Sequence, residues 1–301
     1  MKNIKGILLT LTGGIFWGLS GACGQFLFQY KEAAADWLVP IRLSLAGFFL
    51  LLILFFQRGT QIFDVWKTKK SSFQITAYGI FGMMLCQYTY FVTIQHSNAG
   101  IATVLQYLGP AIVLLAVCAK TRRLPSFTEV LALVLAITGT FFLATHGDLL
   151  TFAISRTALA WGLLAACTYA FYTLYSARLL RTFDSPLIIG WGMLIGGLML
   201  MPLLKPWTRH VLMDGQTLLA LSCIIFLGSI LSFTFYVTGV QLIGPSRAGM
   251  IASIEPVAAT VLSVVWLGAS FTGMDLLGFL CIMSTIFLLS LPVRKKEPPF
   301  P

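Results

Sequence analysis

Glu255 and Arg42 each carry charge inside a stretch that is otherwise apolar, and Pro256 directly follows the acid. An ionisable group at bilayer depth costs roughly 2.5–3.5 kcal/mol on insertion scales, so such a residue faces a cavity or a partner. A carboxyl in that setting suits proton coupling or recognition of a cationic amine. The alternative is a protonated packing residue or a structural partner of Arg42. Proline cannot donate to the carbonyl four residues back, which leaves the Ala252 carbonyl open beside the carboxyl. Arg42 suits a substrate carboxylate, an ion pair with Glu255, or a guanidinium that snorkels outward beside Trp37.

Pro110 interrupts another apolar stretch in the same way and frees the carbonyl of Gln106. Freed carbonyls of this kind line cavities or let a helix bend, although tolerated kinks are also common. Gln87, Tyr88, Tyr90, Gln106 and Tyr107 form a polar and aromatic set nearby, with Gln87 and Tyr90 on one helical face. They would hydrogen-bond a solute in a partly dry pocket, or join helix to helix. Trp17, Tyr169, Tyr172 and Trp191 add ring surface suited to amphipathic solutes and cations, or to plain packing. Trp37, Trp66, Trp161 and Trp207 fall near stretch ends and read as interfacial anchors. The pairs Gly14–Gly18 and Gly192–Gly196 are GxxxG faces for close helix packing.

The elements that must position these residues are membrane spans. Only 10% of the 301 residues are charged and mean hydropathy is +0.89, whereas a soluble chain carries roughly 25% charged residues. Apolar runs of about twenty residues recur, the length that crosses a bilayer core. Ten spans are predicted: Ile7–Phe28, Trp37–Phe56, Phe73–Ile94, Ala99–Cys118, Phe127–Thr145, Ala158–Leu179, Pro186–Leu204, Thr217–Gln241, Arg247–Leu267 and Gly273–Leu291. The expected fold is an all-α polytopic membrane protein. With both termini cytoplasmic, fifteen lysines and arginines fall inside and four outside, namely Lys31, Arg156, Lys205 and Arg209. That alternation supports the count and the orientation, and it accounts for the net charge of +10 without nucleic acid. Lys2 and Lys5 before an apolar run resemble a signal peptide, and Ser20–Cys23 faintly a lipoprotein site. An uncleaved first helix fits better with nine further spans. The six cysteines stand singly and read as buried hydrophobes, with no metal site and no cofactor.

Aligning Pro110 with Pro256 without a gap also aligns Gln95 with Gln241 and Ala102 with Ala248. Five spans per half is odd, so the second half inserts upside down, as in transporters whose sites lie between inverted repeats. Several residue runs carry a family resemblance: Gly14-Ile15-Phe16-Trp17-Gly18, Arg42, Ser97 to Thr103 through Pro110, and Gly244 to Ala248 through Glu255-Pro256. By these the chain resembles the drug/metabolite transporter superfamily and its EamA-domain branch, from about Lys5 to Leu291. The resemblance implies two EamA repeats, residues 5–146 and 157–292, followed by a cytoplasmic tail at 293–301. It further implies alternating access and export or uptake of small metabolites.

An intramembrane enzyme is the main rival, and it would need a nucleophile–base or metal constellation at one depth. His96, His146 and His210 instead fall at loops on the predicted outer side, without motif neighbours. The longest connection, Gln57–Ser72, is too short and too basic for a catalytic domain, and a P-loop is absent. Repeated charge rings and filter loops of a channel are also missing. The expectation is therefore a non-ATP carrier, not an enzyme, in a bacterial inner membrane. Its partners would be a small solute (amino acids or amines favoured), protons and the lipid bilayer. An uncoupled facilitator and self-association into a homo-oligomer stay open.

Overall fold

Capping residues, glycines and prolines cut the chain into ten helical stretches in a computed structural model, which describes residues 2–146 and 154–290. They are α1 (Lys2–Tyr30), α2 (Ala35–Arg58), α3 (69–96), α4 (Ala99–Thr121) and α5 (Phe127–Thr145). The second half holds α6 (Arg156–Leu179), α7 (Ser185–Leu204), α8 (Gly215–Ile243), α9 (245–265) and α10 (Gly273–Ser290). Among the described residues, seven helices are long and apolar enough to cross a membrane, and Ile254–Val265 and Gly273–Thr285 are shorter apolar helices. Exposed Phe56, Leu198 and Ile137 belong to the apolar outer surface that such a bundle turns to lipid. The fold is an all-α polytopic membrane protein. The predicted ends of α10 at Leu291 and of the tail at 293–301 lie outside the described residues.

Local chemistry sets the breaks. Asn98 begins α4 by accepting the Ile101 N–H at 2.9 Å, Ser155 begins α6 from Ala158 at 3.0 Å, and Asp214 begins α8 from Thr217 at 2.9 Å. Two capping boxes start α5 and α10: Ser126 N–H donates to Glu129 at 2.6 Å, and Thr272 N–H donates to Asp275 at 2.7 Å. These pairs are equivalent under the alignment of Pro110 with Pro256. Gly244, at φ +84°, turns α8 sharply into α9, a backbone region that disfavours a Cβ.

Both prolines break their helices where the missing donor dictates. Regular helix stops at Gln106 and resumes at Gly109, and it stops at Ala252 and resumes at Ile254. Two further irregularities carry no such sequence mark. Tyr78–Met84 in α3 and Cys223–Leu231 in α8 wind as wider π turns, again at aligned positions. A short 3₁₀ helix, Gly59–Trp66, occupies much of the longest connection.

Packing repeats between the halves. Helix α2 lies on α7, α5 on α10, and α4 on α9, while α1 packs on α8 and α9 and α6 packs on α3 and α4. Exchanging each helix of one half with its counterpart leaves that pattern unchanged. Small residues allow the closest crossings. A Cβ on Gly139 would meet the Gly278 carbonyl at 2.7 Å, and one on Gly278 would meet the Gly139 carbonyl at the same distance.

Candidate functional site

Eight helices, all except α5 and α10, enclose a central cavity of about 490 Å³. Of the residues singled out from sequence, the structure brings nine together on its wall: Trp17, Arg42, Gln87, Tyr90, Gln106, Tyr107, Tyr169, Tyr172 and Glu255. Pro110 also lines it. Pro256 is buried behind the wall. Trp191 is elsewhere: its indole N–H donates to the Ile62 carbonyl at 2.8 Å, and its rings sit on Phe63 and Trp66. Sequence placed Trp191 among the cavity candidates for its ring surface inside a predicted span, but that face of α7 meets the 3₁₀ helix instead.

Glu255 is anchored by the helix break beside it. The Tyr107 hydroxyl donates to Glu255 Oε2 at 3.0 Å and lies 3.4 Å from the Ala252 carbonyl, the acceptor that Pro256 leaves open. One phenol thus joins the two breaks, since Tyr107 itself sits at the break before Pro110. Glycines bring α1 close enough to set this geometry. A Cβ on Gly18 would meet Ala258 Cβ at 2.7 Å, Ala259 N at 2.8 Å and the Glu255 carbonyl at 2.9 Å. A Cβ on Gly14 would meet the Ala252 carbonyl at 3.0 Å.

Arg42 is 3% exposed, so it does not snorkel to the surface. Its Nε donates to Ser229 Oγ at 3.3 Å, and its guanidinium lies 4.6 Å from the centre of the Phe91 ring. Ser229 belongs to the π turn of α8, where its hydroxyl also donates five residues back to Ile224. Arg42 and Glu255 share the cavity without forming an ion pair. The same cavity holds further polar groups: Tyr90 hydrogen-bonds Thr103 at 2.8 Å, and the Gln106 amide reaches Cys86 Sγ at 3.6 Å. Ser20 Oγ, on the wall, is buried with no partner. A cation and an acid on one ring-lined wall can hold a small zwitterion or amine in a partly dry space.

Sequence reasoning missed Ser20, Thr173, Ser176, Ser185, Phe233 and Tyr236 on the wall. Phe233 and Tyr236 pack on Trp17 with ring centroids 5.1 and 5.3 Å away. A signal for both existed. In the alignment that pairs Pro110 with Pro256, Tyr236 falls on Tyr90 and Phe233 on Gln87. Tyr88, read with the polar set, points away from the cavity and donates to Asp36 Oδ1 at 2.7 Å.

One end of the cavity is open and the other shut. Ser176, Leu180, Ser185 and Gly249 carry the lining to the end that holds the α6–α7 and α8–α9 connections. At the opposite end Lys31 binds Asp214 and, at 2.7 Å, Gln216; Arg209 binds Asp36 at 2.9 Å. Deeper on that side the Gln25 amide oxygen accepts from Ala99 N–H at 2.9 Å and from Ser263 at 2.8 Å. Each of these contacts except Gln25–Ala99 joins the two halves.

The profile of the EamA-like transporter family matches residues 4–145 and 156–291. The uncharacterized inner membrane transporter YicL of Salmonella typhimurium is 36% identical over 97% of both chains. The threonine/homoserine exporter RhtA of Escherichia coli K12 is 27% identical, over 97% of this chain and 92% of that one. A solved crystal structure shares the fold at 16% identity, with a TM-score of 0.65 over 94% of this chain and 95% of the other. Matched over both halves and closed around a central cavity, this chain is a multi-pass inner-membrane transporter and belongs to the EamA-like transporter family.

Proposed function

We propose that the chain is a secondary carrier of amino acids or related amines, exporting them by alternating access and coupled to protons. The observation that carries this reading is the pairing of Arg42 and Glu255 across one cavity without a salt bridge between them. A free amino acid presents a carboxylate to the guanidinium and an ammonium to the acid, and each contact is a charge-assisted hydrogen bond. The similarity to RhtA, a threonine/homoserine exporter, supports the same substrate class and direction.

Two inverted five-helix repeats, 5–146 and 157–292, and cytoplasmic termini complete the proposal. The aligned π turns, capping boxes and proline breaks support the repeat. In that orientation the open end of the cavity faces the cytoplasm, where an exporter loads. Glu255 exchanges its proton for the substrate ammonium, with Tyr107 holding the carboxyl in place in both states.

Uptake into liposomes under an imposed pH gradient tests this, with threonine, homoserine, polyamines and organic acids as candidate solutes. Wild type should show saturable flux that the gradient accelerates. Glu255→Gln, folded and reconstituted equally well, should lose about 100-fold or more of the gradient-driven rate, the lower end of the usual scale for a positioned proton-transfer group. Saturable flux indifferent to the gradient would mean an uncoupled facilitator, and unaltered pH dependence in the variant would remove Glu255 from the mechanism.

A further inference from the structure

Outside the central cavity, a second recess of about 980 Å³ lies between α4, α5, α6 and the end of α10. Its trough is apolar, with Leu114, Val117 and Leu174 along it. Its end at the α4–α5 and α6–α7 connections is basic, formed by Lys120, Arg123, Arg178 and Arg181. One acid, Glu129, lines the same end, and Arg123 engages both its oxygens at 2.8 Å. The Arg178 guanidinium has no hydrogen-bond or ion-pair partner among the described residues. An apolar trough alone would take any acyl chain, whereas a basic rim selects a negative headgroup.

We propose that this recess binds an anionic phospholipid, with its phosphate held at Lys120, Arg178 and Arg181 and an acyl chain lying along Leu114, Val117 and Leu174. Placing it in the cytoplasmic leaflet rests on the orientation proposed above; the binding chemistry does not. The recess shares Pro110, Tyr169 and Thr173 with the central cavity. Tyr169 lies over Gly109, where any side chain would collide with its ring. A bound lipid therefore touches the partition that closes the transport cavity on that side.

The test uses the purified full-length chain in neutral detergent, titrated with phosphatidylglycerol or phosphatidylcholine and read by native mass spectrometry. Wild type should retain phosphatidylglycerol and release phosphatidylcholine. Arg178→Gln with Arg181→Gln should weaken phosphatidylglycerol retention by about fivefold per arginine, the scale of one basic residue at an anionic lipid surface. Lys69→Gln with Lys70→Gln, which removes two exposed charges elsewhere, should leave it unchanged. Val117→Trp, which fills the trough and keeps the rim, should also displace the lipid. Equal retention of both lipids, unchanged retention in the arginine pair, or competition by inorganic phosphate alone would overturn the proposal. A lipid-free dimer would do the same, because a second copy would then cover this face. No flux is measured, so failure here leaves the carrier reading standing, and failure of transport leaves the lipid site standing.

Discussion

Arg42 shows what a single residue can and cannot say from sequence. Its charge inside an apolar stretch marks it as functional or snorkelling, because bilayer depth penalises both ends of that choice differently. The outcome depends on Ser229, 187 positions away on α8, and on Phe91 of α3, which hold the guanidinium inside. Glu255 is more legible, since Pro256 announces an open carbonyl beside it, yet the hydroxyl that takes up both groups comes from Tyr107. If Arg42 receives a substrate carboxylate, Arg42→Gln should raise KM for an amino acid by about 10–100-fold, as expected for one hydrogen bond to a charged group. The matching amine without a carboxylate should keep a KM near wild type. Liposome uptake of both solutes decides it, and equal loss for the two would reduce Arg42 to a structural role.

Helices were the most legible part of the fold. All ten stretches lie where the apolar runs lie, and Phe127–Thr145 coincides at both ends. Several others extend one to five residues further, as where capping by Thr68 and Asp214 adds polar first turns that hydropathy leaves out, whereas α9 stops at Val265, two residues short of the expected Leu267. The π turns in α3 and α8 stayed hidden, since a widened turn is stabilised by neighbours rather than by its own residues. Gly192 and Gly196 face the first of them, across from Tyr78 and the Gly79 carbonyl. Close helix contact also yields a stability prediction. Gly18→Val should cost about 1–3 kcal/mol through overpacking against α9, whereas Gly215→Ala, with open space at its Cβ, should stay within about 0.5 kcal/mol of wild type. Thermal unfolding in one detergent compares the two, and a benign Gly18→Val would mean that α1 and α9 separate freely.

For the whole molecule, the closed end of the cavity is built from pairs joining the two halves, Lys31 with Asp214 and Asp36 with Arg209. With Asp214 and Arg209 half-exposed, pairs of this kind are weak one by one, which suits the alternating access proposed above. The Asp214 carboxyl is pushed down to about 2, foremost by the hydrogen bond from the Lys31 ammonium and then by the Thr217 N–H. With the folded value below the ordinary 3.8, the contact contributes fully above that value and is lost as pH falls toward 2. The difference in unfolding temperature between wild type and Asp214→Asn should therefore be steady from about pH 7 to pH 4 and vanish toward pH 2. A difference that persists at low pH would assign the variant's effect to the start of α8 rather than to the pairing with Lys31.

Sequence alone determined the membrane class, the ten helical stretches and the family, because hydropathy, loop charge and proline act within a few residues of where they stand. It also named most of the polar groups that meet in the cavity, since a polar residue inside an apolar span carries its cost wherever the chain goes. Only the tertiary structure decided which of them converge. Trp191 turns to Ile62, Tyr88 turns to Asp36, and Phe233 and Tyr236 join Trp17. Those choices follow from helix rotation and from contacts between helices far apart in the chain, which the residues beside each side chain do not set.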